Sequence, residues 1–302
     1  MSSVKHVIIV GAGGHLGPHI VSAFDADPRF IVSILARESS RSNFPPQIPV
    51  HRVDDDYSEP ALLDALNGQD VVVCTISAQG LAQQKAIIDA AVKAGVKHFV
   101  PSEFGPDSRN EQASAMIPFL CRAKVQIVEY LKSKEKEGLQ WTAFVTGPFL
   151  DMAMTNFLGF NVARRQAAIL SPGNDRWSAT TRSTVGLAVK NAILAAEDQV
   201  ANRYLFIDSL TVSQNEVLAS LERTTGVKWE TVYRDAEEEK RMAWDRFSKG
   251  NFSAIPTLMQ YVTCVNGYGG NYMDYKQSAN KLLSLPEESL DEVVQRIVYD
   301  EN

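Results

Sequence analysis

The sequence predicts an α/β fold: a parallel sheet with helices on both faces, joined to a smaller, mostly helical lobe. Three observations predict it. Short apolar runs alternate with helix-period segments through the first half of the chain, as strand–helix–strand crossovers require. A cluster of glycines directly follows the first apolar run. After about Met152 the alternation stops, and Trp and Tyr become more frequent.

The elements follow in chain order. "HVIIV" is a continuous apolar run and predicts a buried strand. The glycine turn comes next, then a helix to about Ala26. "FIVSILAR", "DVVVCTI", "VKHFV" and "WTAFVTGPF" predict further strands of the same sheet. Between them, "LLDALNGQ" and "AQQKAIIDAAVKAG" read as helices that stop at Gly68 and Gly95. "IPFLCRAKVQIVEYLKSKEKEG" is a long amphipathic helix with a solvated, mixed-charge end. In the second half, "AAILSPGNDRWSATT" predicts a hairpin around Pro172–Asp175. "STVGLAVKNAILAA" is helical and "RYLFID" is a strand. Three later helices open with capping-box spacing, at Ser213 with Glu216, Asp235 with Glu238, and Ser289 with Glu292. The expected division is a first domain over 1–152, with 183–208 packing back onto it, and a smaller lobe over 153–302.

Composition narrows the function. The chain has 302 residues, about the size at which a single core divides into lobes. Its net charge of −6 offers no basic field to nucleic acid or to an anionic membrane. No stretch reaches the roughly 18 apolar residues of a membrane span, and the N-terminal apolar run is too short for a signal peptide. Three cysteines scattered singly argue for a reducing compartment. Five histidines form no metal-ligand motif, so no metal is expected. These features predict a cytoplasmic protein, a monomer or homodimer, whose partner is a small molecule.

Gly11, Gly13, Gly14 and Gly17 follow a strand and open a helix, with His15 and Leu16 between them. A bare structural turn is one explanation. The other is the Rossmann-type dinucleotide turn, where glycine lets the backbone approach a pyrophosphate and lets the helix pack close to the sheet. Pro18 sits where a missing N–H does no harm. The end of the second strand carries Arg37, followed by Ser39, Ser40 and Arg41, in place of the acidic residue that binds an NAD ribose. A guanidinium clasps a 2′-phosphate in fork geometry. Hydrogen bonds to charged groups are worth roughly 1.5–3 kcal/mol, which favours NADPH over NADH by about 10- to 100-fold. Glu38 is the one contrary residue, and also reads as a solvated loop charge.

Other chemical residues keep two readings on pattern alone. Lys124 lies among Leu120, Ile127 and Val128 at helical spacing, either snorkelling outward or poised in a cleft. Glu103 could hold a ribose, orient a loop or cap a turn. Tyr130 with Lys134 and Tyr272 with Lys276 share the spacing of a dehydrogenase dyad, the first at the charged far end of its helix and the second very late in the chain. "NGYGGN" at 266–271 lacks a preceding strand and reads as a turn or a mobile lid.

"VKHFVPSEFGPD", "AKVQIVEYLK" and "TAFVTGPF" resemble segments of the NmrA-like, isoflavone reductase-like family of atypical short-chain dehydrogenases. That family includes pinoresinol–lariciresinol and phenylcoumaran benzylic ether reductases. The resemblance covers about 4–200 well and the rest loosely. It implies that Gly11, Gly14 and Gly17 hold a pyrophosphate, and that Arg37 and Arg41 bind the 2′-phosphate of NADPH or NADP+, to which the nearby Ser39 hydroxyl adds a donor. It implies that Thr75, Ile76 and Ser77 line the cofactor cleft, and that Lys124 is the catalytic lysine. Gly13, His15, Leu16, Ser102, Glu103, Phe104 and Gly147 are further candidate cofactor contacts. Phe149 is placed near the nicotinamide and, with Met152 and Phe157, toward substrate. The chain departs from the family where it has Gly13 in place of Thr, His15 in place of Tyr or Phe, and in "TGPFLD". The implied function is an NADPH-dependent reductase of a small apolar, aromatic or polyketide-like metabolite, with Lys124 as general acid/base. The alternative is a non-catalytic NADP(H) redox sensor acting through a protein partner.

Overall fold

The computed structural model describes residues 5–274 and 278–299. The first half supplies strands β1 (Lys5–Val10), β2 (Phe30–Arg37), β3 (Val50–Val53), β4 (Val71–Cys74), β5 (His98–Val100) and β6 (Gln140–Val145). Helices α1 (Gly17–Asp25), α2 (Glu59–Leu66), α3 (Gln84–Lys93), α4 (Glu111–Met116) and α5 (Pro118–Lys134) intervene. The second half contains α6 (Leu150–Asn156), β7 (Phe160–Asn161), β8 (Gln166–Ser171), β9 (Trp177–Ala179), α7 (Arg182–Leu194), α8 (Glu197–Val200), β10 (Arg203–Phe206) and β11 (Leu210–Val212). It ends with α9 (Gln214–Thr225), β12 (Glu230–Asp235), α10 (Ala236–Ser248), α11 (Ile255–Cys264) and α12 (Leu290–Tyr299).

Seven strands form one parallel sheet in the order β10-β6-β5-β4-β1-β2-β3. The order of strand addition reverses between β1 and β4, so a crevice opens at their C-terminal ends. Alternation along β1 sends Val7 and Ile9 into one core and Ile8 and Val10 into the other. The first core includes Ile20, Phe24, Val185 and Val189; the second includes Leu62, Ile88, Ile127 and Trp141. Helix α7 lies directly on α1, because a Cβ on Gly186 would stand 2.5 Å from the His19 carbonyl oxygen. Strand β10 pairs with β6 and completes the sheet edge.

One expectation is corrected. The hairpin around Pro172–Asp175 does not form. Strand β8 pairs with β7 and β12, while β9 pairs with β11. The turn is tied elsewhere: Asn215 donates its backbone N–H to the Gly173 carbonyl (3.1 Å) and its side-chain amide to that of Pro172 (2.9 Å). Asp175 accepts from Asn266. The later half of the chain is mostly helical, as expected, with two small sheets among the helices. Strand β3 was not legible, because "VHRV" carries His51 and Arg52 and lies at the sheet edge.

The three expected helix caps are present. Ser213 and Glu216 form a reciprocal box, Asp235 accepts from the Glu238 N–H (2.8 Å), and Ser289 accepts from that of Glu292 (3.3 Å). The 266–271 segment is docked rather than poised as a lid: the Gly270 carbonyl accepts from the Ser178 N–H at 2.8 Å. Tyr130 donates to Asp89 (2.6 Å), and Lys134 pairs with the same carboxylate. Lys276 lies outside the described residues. Among the described residues, no helix is long and apolar enough to cross a membrane.

Candidate active site

The glycine turn crosses the crevice between β1 and β4. Gly11 has φ +82°, and a Cβ there would stand 2.9 Å from the Thr75 carbonyl carbon and oxygen. Only glycine combines that conformation with that approach. Gly14 donates its N–H to the Gly11 carbonyl at 2.9 Å and closes the turn. A Cβ on Gly17 would stand 2.5 Å from the Ala12 backbone, so this glycine seats α1 against the turn. No side chain caps α1 at Leu16. Its N-terminus therefore faces the groove with backbone donors and the positive end of the helix dipole. This is a cradle for an anion, and the residues present fit a dinucleotide pyrophosphate.

The groove continues to the end of β2. Arg37 is exposed on its wall, with Ser40, Ser42, Phe44 and Tyr57. Ser39 and Arg41 are not brought to that wall. The Ser39 N–H donates instead to Asp55 (3.2 Å), and Arg41 is exposed beyond it. Ser40 and Ser42 stand where those two were expected. A Cβ on Gly13 would collide with the Ser42 side chain, so the glycine that departs from the family pattern makes room for this loop. Arg52 of β3 clamps the loop, donating to the carbonyls of Arg37 and Ser40, each at 3.0 Å. No local pattern signals Arg52, because its strand is short, polar and at the sheet edge.

At the other end the groove opens into a cavity of about 340 Å³. Gly14, Thr75, Ile76 and Ser77 border both spaces, so they form one continuous cleft. His15, Leu16, Ser102, Phe104 and Gly147 line the cavity, as do Phe149, Met152 and Phe157. Gly147 adopts φ +62° where a Cβ would collide with the Ser178 carbonyl. Leu120 of α5 and Met259 and Thr263 of α11 complete the wall. The α11 pair was missed, because it lies more than a hundred residues beyond the rest of the wall.

Lys124 opens on this cavity, yet is only 5% exposed. Its Nζ donates to the carbonyls of Glu103 and Phe104, the latter at 3.0 Å. Gly105, with φ +144°, leaves room beside it; a Cβ there would lie 3.1 Å from Nζ. Burial pushes the Lys124 ammonium below the usual lysine range, opposed by the charge of Glu103 and by Cys121. Glu103 is not on the cleft wall. Its side chain points into the interior and accepts from the Ser108 hydroxyl, and burial raises its pKa to about 7. Its carboxylate ties Ser108 back to the start of the 103–108 loop.

A model of the NmrA-like family matches residues 3–282. The oxidoreductase aprR of Aspergillus flavus is 58% identical over 292 residues, covering 97% of this chain and 98% of that protein. The phenylcoumaran benzylic ether reductase Pyrc5 of Pyrus communis is 30% identical over 257 residues, covering 79% of this chain and 80% of that protein. Among solved structures, isoflavone reductase shares the fold at a TM-score of 0.79 and 22% identity, covering 98% of this chain and 100% of that one. Leucoanthocyanidin reductase of Vitis vinifera, solved with NADPH, does so at 0.73 and 18%, covering 97% and 99%.

Proposed function

The chain belongs to the NmrA-like family, and on that premise we propose that it is an NADPH-dependent reductase of a small, apolar, aromatic or polyketide-like molecule. The carrying observation is the shared cleft: the buried Lys124 ammonium opens on the same space as the glycine turn and Arg37. The backbone of Gly11, Gly13 and Gly14 and the N-terminus of α1 would hold the pyrophosphate. Arg37, Ser40 and Ser42 would hold the 2′-phosphate. NADPH bound there supplies a hydride.

Lys124 has three N–H donors, and two are committed to the Glu103 and Phe104 carbonyls. The third is left for a substrate oxygen. Its lowered pKa eases proton donation to charge that develops on that oxygen. Phe149, Met152, Phe157 and Met259 exclude water and strengthen that interaction. A redox sensor would use the glycine turn but has no need of a lysine buried at an apolar cavity. Relatives named as oxidoreductases and reductases support catalysis over sensing.

The test is NADPH oxidation against aryl-conjugated enones, quinones, benzylic ethers and aromatic polyketides, with wild type beside Lys124→Ala. The variant is expected to lose turnover by about 10²- to 10⁴-fold while its NADPH affinity stays unchanged. Full turnover in the variant removes Lys124 from the chemistry. Tight NADPH binding with no turnover of any compound overturns the reductase.

A further inference from the structure

We infer that Glu103 is a positioning residue for Lys124, one whose buried carboxylate, anchored by Ser108, keeps the ammonium protonated and seated at the cavity wall. The inference rests on reading Lys124 as the proton donor. Glu103 meets that lysine through its main chain, whose carbonyl accepts from Nζ. The carboxylate of the same residue is buried, holds the Ser108 hydroxyl and acts on the ammonium through space. The side chain is 1% exposed, where an unpaired carboxylate is costly and an apolar residue would be cheaper.

The neighbouring charges leave Lys124 as its counterpart. Asp107 and Arg109 pair with each other at 2.8 Å, and the Arg109 guanidinium lies 3.9 Å over the Tyr204 ring of β10. Cys121 is the other titratable group beside Lys124 on α5, and its thiol is pushed up to about 11 by burial. His15 faces the cavity from the turn before α1. Of the charges acting on the lysine, that of Glu103 favours the ammonium most, with Cys121 next.

In the step itself, a Lys124 N–H bond breaks as the substrate O–H bond forms, and the neutral amine regains a proton from solvent. Glu103 transfers nothing. As an anion it favours the recharged ammonium; as a neutral acid it does not. Its influence therefore grows as pH rises through about 7, where it ionises.

The test is a titration of Lys124 in protein carrying 13C-labelled lysine, with the resonance assigned through Lys124→Arg. This needs no substrate. In Glu103→Gln, which keeps an acceptor for Ser108, Lys124 is expected to titrate about 1 pH unit lower. Glu103→Asp should restore part of the shift, and Ser108→Ala should give a smaller shift in the same direction. With a turned-over substrate, Glu103→Gln should match wild type near pH 6 and fall progressively behind above pH 7, NADPH affinity being unchanged. An unshifted Lys124 resonance, or a kcat loss equal at every pH, overturns the role of Glu103. Turnover that survives Lys124→Ala instead removes the proton-donor reading, and this inference with it. A shifted resonance beside an inactive Lys124→Ala sustains both.

Discussion

The two ends of the cleft are built by different means. The end at Gly11 and Arg37 is framed by backbone, a turn, a helix N-terminus and the loop after β2, with the polar side chains of Arg37, Ser40 and Ser42 on its wall. The end at Lys124 is lined from six separate segments, reaching from His15 to Thr263. The first is polar and depends on where a Cβ is missing. The second is largely apolar and depends on which side chains the fold brings together. A backbone cradle tolerates little substitution and suits an invariant ligand. A wall of Leu, Met and Phe side chains is open to change one residue at a time.

The largest effect should come from breaking the backbone end. Gly11→Ala forces a side chain into φ +82° and sets its Cβ 2.9 Å from the Thr75 carbonyl. The strand ends must then part, and the anion cradle with them. NADPH affinity should fall by more than about 100-fold, or about 2.7 kcal/mol, measurable by fluorescence titration. Affinity within a few-fold of wild type would mean that the turn does not hold the pyrophosphate.

The same contrast explains what was legible. The cradle could be read because its parts are contiguous, and a glycine requirement is written directly into the sequence. The parallel sheet followed from apolar runs alternating with helices. Strand β3 and Arg52 were invisible because an edge strand need not be apolar. Ser40 and Ser42 replaced Ser39 and Arg41 at the groove because loop direction is set by contacts such as those of Arg52, not by spacing. Met259 and Thr263 could not be found, since no local pattern says that α11 meets α5 across the cavity. Glu103 was visible as a residue, but its inward orientation depends on Ser108.

A second effect separates stability from function at the Lys124 end. The folded-state pKa of Glu103, about 7, stands above its ordinary value of 4.5. A group raised in this way favours the fold at low pH, and that contribution is lost as pH rises from about 4.5 through 7. Above pH 7 the ionised carboxylate is a burden on stability, on the order of 3 kcal/mol. Glu103→Gln should therefore melt at a higher temperature than wild type at pH 8, with the gain shrinking toward pH 5. Equal melting temperatures at both pH values would place the carboxylate in a better-solvated setting than its burial indicates.

Arg37→Ala tests the polar end more narrowly. The backbone cradle stays intact, so NADH should bind as before. NADPH should lose about 10- to 100-fold, or 1.4–2.7 kcal/mol. Isothermal titration with both cofactors reads this directly. Equal losses for the two would mean that Arg37 supports the loop rather than the 2′-phosphate.

The smallest effects belong to the side-chain wall, where one residue changes one contact. Thr263 places a hydroxyl on an otherwise apolar stretch of α11, beside Met259. Valine has nearly the same shape, so Thr263→Val removes a hydrogen-bonding group without opening a void. A substrate oxygen that meets this hydroxyl would lose about 1 kcal/mol, a roughly 5-fold rise in KM. The effect should appear in KM and leave NADPH affinity alone, because the hydroxyl lies outside the polar groove. Met259→Ala acts by the other route and deletes volume, so bulkier aromatic substrates should gain relative to small ones. A fall in NADPH affinity in either variant would show that the two ends are coupled, and would break the division between backbone and side-chain halves on which the comparison rests.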